Sequence, residues 1–191
     1  MPRREFYVAA FALLALAGAT RAQTQGAYGI GRSATPAEIA GWNIDIDRYG
    51  NNLPPGSGSV SRGREVFDQQ CAACHGAKGE GGVGDRLAGG QGTLATPDPV
   101  KTVGSYWPYA PTLFDYIRRA MPQNAPQSLS NDDVYAVSAY ILNLNGLLPA
   151  EATLDAKTLS AIKMPNRKMF VGDSRPDVKN PACMTGCEGN K

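Results

Sequence analysis

Apolar residues recur along this chain at helical intervals in three segments, and each predicts an α-helix. The clearest opens at Ser130-Asn131-Asp132-Asp133. Val134, Val137, Ile141 and Leu144 follow at i, i+3, i+7 and i+10, with Tyr140 beside the stripe. Ser130 is placed to cap this helix, Asp133 stands where a capping box needs it, and Asn145-Gly146 supplies the stop. The acidic and amide groups of the first turn suit the positive end of the helix dipole. Ser59 to Cys74 reads as an earlier helix, with Val66, Phe67 and Gln70 at helical spacing and Gly63 four before Phe67. Pro111 to Ala120 reads as another, with Leu113, Tyr116 and Ile117 on one face. It ends at Met121-Pro122, because the residue before a proline is driven out of the helical region. Leu154 to Ile162 suits one short helix. Gly76 to Pro99 is rich in glycine and predicts a loop, and loops of that length in a compact domain usually serve function. No alternating strand pattern and no repeat is present, so the predicted class is all-α.

The N-terminus reads as an address. Arg3 and Arg4 precede an apolar run from Phe6 to Gly18, and small residues follow at Ala17-Gly18-Ala19 and Thr20-Arg21-Ala22. The run is too short to cross a bilayer, which predicts a secretory signal over residues 1–22, with an uncleaved anchor as the alternative. No later apolar run approaches the twenty or so residues of a membrane span. Residues 23–58 read as an N-terminal extension. It holds an apolar-aromatic stretch, Ile39 to Ile46 with Trp42, then a turn-rich linker from Asn51 to Gly58. A core domain is expected over 59–146 and a long C-terminal tail over 147–191. A tail without a core of its own must pack on the domain, lie on a partner or stay mobile.

Cleavage after Ala22 takes 22 residues from 191 and leaves 169, enough for one domain plus extensions. It also removes Arg3, Arg4, Arg21 and Glu5, so 19 basic and 17 acidic residues become 16 of each. A neutral mature chain offers no case for nucleic acid or an anionic membrane as partner.

The chemistry lies in Cys71-Ala72-Ala73-Cys74-His75, a C-x-x-C-H pentapeptide. Two cysteines three apart share one helical face, so each thiol can add to one vinyl group on a haem edge. The histidine that follows is carried under the ring, where an imidazole nitrogen can bind iron. His75 is the only histidine in the chain. Haem attachment of this type takes place outside the cytoplasmic membrane, which agrees with the export signal and predicts a periplasmic protein. For a sixth iron ligand the candidate is Met121, at the end of a helix and before a proline, with Met164-Pro165 as the alternative. A methionine thioether raises the reduction potential of such iron. Tyr106, Trp107, Tyr109 and Phe114 could wall a haem pocket, or could be ordinary core, and Arg86 and Arg118 are possible partners for propionates.

Cys183 and Cys187 use the remaining thiols, and a disulfide is the default in an oxidising compartment. A zinc site from Cys71, Cys74, Cys183 and Cys187 is a competing reading, but it leaves His75 without a role. A dithiol-exchange reading of Cys71 and Cys74 lacks the preceding strand that such motifs have. No nucleophile–base pair, carboxylate pair or phosphate loop is present, so no substrate chemistry is expected on this chain.

Residues 59–146 resemble class I cytochrome c domains. Gly63 and Phe67 on the first helix and Tyr140 on the last match that family's crossing of terminal helices. A narrower resemblance rests on Gly104-Ser105-Tyr106-Trp107-Pro108-Tyr109-Ala110-Pro111, on Leu113 through Pro122, and on Ala125-Pro126 and Leu129-Ser130. It extends to Gly31-Arg32, Leu53-Pro54-Pro55-Gly56-Ser57-Gly58, Lys163-Met164-Pro165-Asn166-Arg167 and Cys183-Met184. These segments are similar to the cytochrome subunits of the sulfur dehydrogenases in bacterial thiosulfate (Sox) oxidation. The resemblance implies covalent haem c, one here because the chain has one C-x-x-C-H where some members carry two, and a molybdenum-cofactor catalytic subunit that oxidises protein-bound sulfur, or a related sulfite dehydrogenase. It also implies a downstream cytochrome c as electron acceptor. The alternatives are a free electron carrier without a fixed partner, and a haem-free module stabilised by zinc or a disulfide.

Overall fold

A computed structural model describes residues 30–172. The expected signal segment and the Cys183–Cys187 pair lie outside the described residues. The chain divides between Ile44 and Asp45 into two units.

The described part of the first unit contains one helix, α1 (Pro36–Trp42). Thr35 and Glu38 form its capping box: Thr35 Oγ1 accepts the Glu38 N–H at 3.3 Å, and Glu38 Oε2 accepts the Thr35 N–H at 2.8 Å. Proline at the first helical position costs nothing, since that N–H has no helical partner. Arg32 donates to Glu38 Oε2 at 2.8 Å. Together these contacts hold the Glu38 carboxyl well below its ordinary value, at about 2, with Arg32 the largest cause. The helix buries no residue, and Trp42 is 88% exposed. The expected apolar stretch therefore splits, because Ile46 belongs to the second unit and is buried there.

In the second unit a short strand β1 (Ser57–Ser59) leads into α2 (Val60–Gln70), then α3 (Ala72–His75), α4 (Ala110–Ala120) and α5 (Asn131–Leu144). Strand β2 (Thr153–Asp155) and helix α6 (Ala156–Ala161) follow. The all-α class holds, with one addition the pattern did not predict. β1 and β2 pair antiparallel, Gly58 opposite Leu154. Strands of three residues are too short to display alternation.

The frame of the domain is the crossing of α2 and α5. Gly63 makes it possible. A Cβ added there would lie 1.8 Å from the Ala136 carbonyl oxygen and 2.8 Å from Tyr140 Cβ. One turn on, Phe67 meets Tyr140 edge to face with ring centroids 5.2 Å apart. Ser130 caps α5 by accepting the Asp133 N–H at 3.1 Å. The Ser130 hydroxyl in turn donates to the Asp133 carboxylate at 3.0 Å.

Helix α5 is buried continuously from Val134 to Leu142 rather than along one stripe. Its second face is covered by chain outside residues 59–146. Tyr135 donates its hydroxyl to the Pro54 carbonyl at 2.8 Å. Ile46 donates its N–H at 2.9 Å to Asp115, which also pairs with Arg119 on α4. Leu154, Leu159 and Met164 join the core at 3% exposure or less. Full burial of such side chains stabilises by roughly 1.5–3 kcal/mol each. Three of them rival a sizeable part of the roughly 5–15 kcal/mol that holds a domain together. Of the three options for the tail, its segment through Asn166 packs on the domain.

Candidate functional site

The expected single helix from Ser59 to Cys74 is broken at Cys71. This residue closes α2, its N–H bonded to the Phe67 carbonyl at 2.9 Å, and leaves helical geometry at φ −122° and ψ −38°. A new turn begins at once: the Cys74 and His75 N–H groups both donate to the Cys71 carbonyl, at 3.1 and 3.0 Å. Cys71 is half-buried against the core, while Cys74 faces solvent. Burial, and secondarily the neighbouring Cys74, push the Cys71 thiol up to about 11. A dithiol-exchange centre needs a thiol shifted the other way, so that reading fails on electrostatics as well as on context.

The loop after α3 folds back over the histidine. Gly84 donates its N–H to the Cys74 carbonyl at 2.9 Å, and Gly81 donates to the His75 carbonyl at 2.8 Å. Gly84 lies flat on the imidazole: a Cβ there would be 2.9 Å from Cε1. His75 Nδ1 is 2.6 Å from the backbone oxygen of Asp85. A carbonyl can only accept, so Nδ1 carries the proton and Nε2 keeps its lone pair. This bond fixes both the tautomer and the ring orientation, and it raises the basicity of Nε2. Neither Gly84 nor Asp85 was singled out from the sequence. The only hint was the density of glycine in that loop, and a backbone acceptor has no residue signature.

Met121 closes α4, its N–H on the Ile117 carbonyl at 3.1 Å, and turns to extended backbone at φ −118° and ψ 147°. Its side chain is half-buried, packed against the core, and the Met121-Pro122 peptide is cis. Met164 is instead a core residue, 3% exposed.

The aromatic group does not act as one wall. Phe114 is fully buried against Tyr135, centroids 4.4 Å apart, and belongs to the core. Trp107 packs edge-on to Tyr116 at 5.9 Å. Tyr106 lies between Lys101 and Phe170, and Tyr109 between the guanidiniums of Arg48 and Arg167. Arg86 donates to the Glu80 carbonyl at 2.9 Å and so braces the loop around His75. Arg118 is half-buried on α4.

Comparison with known proteins places this geometry. A cytochrome c family model matches residues 60–145. A chain in the crystal structure of the sulfane dehydrogenase SoxCD from Paracoccus pantotrophus is 41% identical, over 85% of this chain and 83% of that one, with a TM-score of 0.73. This chain belongs to the cytochrome c family. No curated protein matches it. As a class I cytochrome c it binds haem c covalently. Its residues fit that group: two thiols three apart at a helix junction, and an imidazole held in one orientation through Nδ1, its Nε2 without a hydrogen bond among the described residues. Among the described residues of the cytochrome no helix is long and apolar enough to cross a membrane.

Proposed function

We propose that this cytochrome is the electron-transfer subunit of a sulfur dehydrogenase. It takes electrons singly from a molybdenum-cofactor subunit that oxidises sulfane sulfur or sulfite during thiosulfate oxidation, and passes them to a downstream cytochrome c. One observation carries this reading. The likeness to the SoxCD chain covers 85% of the sequence, whereas the general cytochrome c pattern stops at residues 60–145. The similarity therefore includes segments that an isolated electron carrier does not need.

When bound, haem c supplies a one-electron couple. The residues of this chain hold and tune it. Cys71 and Cys74 would anchor it through their thiols, and His75 Nε2 and the Met121 thioether would be the ligands to its iron. The Asp85 carbonyl on Nδ1 would strengthen Nε2 as a donor to the iron and favour the oxidised state, while the thioether of Met121 would favour the reduced one. We assign Met121 rather than Met164 because Met164 is already committed to the core. The chain is proposed to enter the periplasm through its first 22 residues, and Cys183 and Cys187 to form a disulfide there. Exposed apolar side chains outside the cytochrome c segment, Trp42 in the first unit and Met169, Phe170 and Val171 near the tail, support docking through the extension and the tail.

The test is an affinity pull-down of the tagged protein from native periplasm, read by mass spectrometry and metal analysis. The expected result is a stoichiometric molybdenum protein. A cytochrome that emerges alone and monomeric on gel filtration would refute the subunit role and leave a free carrier.

A further inference from the structure

Asn145 ends α5, a task its backbone already performs by sharing its N–H between the Ile141 and Leu142 carbonyls at 3.3 and 3.2 Å. Its side chain does something else. At 7% exposure it is among the few buried polar groups described in the domain. Nδ2 donates to the carbonyls of Ile141 at 2.9 Å and Leu87 at 3.0 Å. Oδ1 accepts the Gly89 N–H at 3.1 Å. Both donors of the carboxamide are used, and its oxygen is engaged.

A second turn closes on the same point. Gly104 presses so closely that a Cβ there would lie 2.3 Å from Asn145 Oδ1. Gly104 lies between Thr102 and Ser105, both buried, and Thr102 Oγ1 donates to the Gly89 carbonyl at 2.6 Å. Gly89 is thus held by its N–H from Asn145 and by its carbonyl from Thr102. Leu87 is held by its carbonyl from Asn145 and by its N–H, which reaches the Gly79 carbonyl at 2.8 Å. Two residues before Leu87 stands Asp85, whose carbonyl receives the His75 Nδ1 proton at 2.6 Å.

We propose that Asn145 is a positioning residue for His75: by fixing Leu87 and Gly89 it sets the Asp85 carbonyl against the imidazole. The inference rests on His75 being the iron ligand. Its physical basis is the cost of leaving the Leu87 carbonyl and the Gly89 N–H unpaired in a partly buried site, which drives the segment to rearrange. Arg86 on the Glu80 carbonyl, and the Leu87 and Ala88 N–H groups on the Gly79 carbonyl, remain as partial braces. A looser Asp85 carbonyl makes Nε2 less basic, stabilises the oxidised iron less, and so raises the reduction potential.

The experiment compares holoprotein carrying Asn145→Ala, Asn145→Ser or Gly104→Ala with wild type and with Tyr135→Phe. The last variant loses the bond to Pro54 near the other end of α5 and reports plain destabilisation. Two readouts are taken: the reduction potential, and the solvent exchange of the His75 ring N–H by nuclear magnetic resonance in the reduced protein. The Asn145 and Gly104 variants are expected to show a raised potential and exchange about ten times faster, the scale of one lost hydrogen bond, while Tyr135→Phe moves neither. If Asn145→Ala does not fold, Asn145→Ser and Gly104→Ala decide. Gly104→Ala keeps every atom of the carboxamide and only displaces it. Unchanged readouts in the folded variants, or an equal shift in Tyr135→Phe, overturn the proposal. A colourless wild type would instead overturn the reading of His75 on which it rests.

Discussion

Replacing Gly63 with alanine sets two effects of known size against each other. In the middle of a helix, alanine is favoured over glycine by about 1 kcal/mol, so in isolation the change would strengthen α2. Against this, the new methyl carbon would lie 1.8 Å from the Ala136 carbonyl oxygen and 2.5 Å from its carbon, where ordinary contact begins at 3.4 Å. The obstacle is backbone, which no rotamer change can clear. The helices must separate by something over 1 Å, and a gap of 0.5–1 Å already forfeits a quarter to a half of the dispersion energy across it. Phe67, packed on Tyr140, and Val66 lie along the same seam. Overpacking of this kind costs about 1–3 kcal/mol where side chains can adjust and more where they cannot. We therefore expect a net loss of about 3 kcal/mol, a large share of the stability of a domain. Urea unfolding of the holoprotein followed by circular dichroism measures it, with Gly41→Ala as control. Gly41 lies in α1, and no described residue stands within 4 Å of its added Cβ. A Gly63→Ala midpoint equal to wild type would show that the crossing is looser than described.

The two methionines should separate cleanly. Met121→Ala is expected to keep the covalent colour, lower the reduction potential and admit added ligands such as cyanide. Met164→Ala should cost roughly 2–5 kcal/mol in unfolding experiments and leave the visible spectrum alone. The opposite pattern would assign Met164 to the iron. Ser138 carries a buried hydroxyl with no hydrogen-bond partner among the described residues, so Ser138→Ala should gain about 1–2 kcal/mol and raise the melting temperature by several degrees. A lower melting temperature would reveal a partner for that hydroxyl. Glu38 titrates below its ordinary value in the folded chain, so its contribution is present above pH 4.5 and fades as pH falls toward about 2. A carbon chemical-shift titration of its carboxyl should find a midpoint near 2, and a midpoint near 4.5 would mean the Arg32 and Thr35 contacts do not persist in solution.

What could be read in advance followed from how locally each feature is encoded. Helix α5 carries cap, period and stop within seventeen residues, and α4 carries its own terminating proline. Cys71, Cys74 and His75 stand out in the sequence because thioether and imidazole chemistry allows few other side chains. The break at Cys71 does not, because one residue leaving helical angles has no compositional mark. The pairing of Gly58 with Leu154 joins segments 96 residues apart, and nothing in either segment names the other. Leu154, Leu159 and Met164 sit five residues apart, a spacing that matches neither the helical nor the strand period, so no pattern marks their burial. Asn145 was readable as a helix stop. Its hold on Leu87 and Gly89 depends on where a distant loop returns.

The contribution of Leu154, Leu159 and Met164 to the core has a consequence for the order of events in making the molecule. Synthesis runs from the N-terminus, and Met164 follows His75 by 89 residues. Until that stretch has been added, the interior stays unsealed while the thiols and the imidazole already exist as chain. The part that closes the vessel is thus delivered long after the part that grips its contents, so a variant truncated at residue 146 should still present the attachment sequence yet lack the lid that keeps water from the interior.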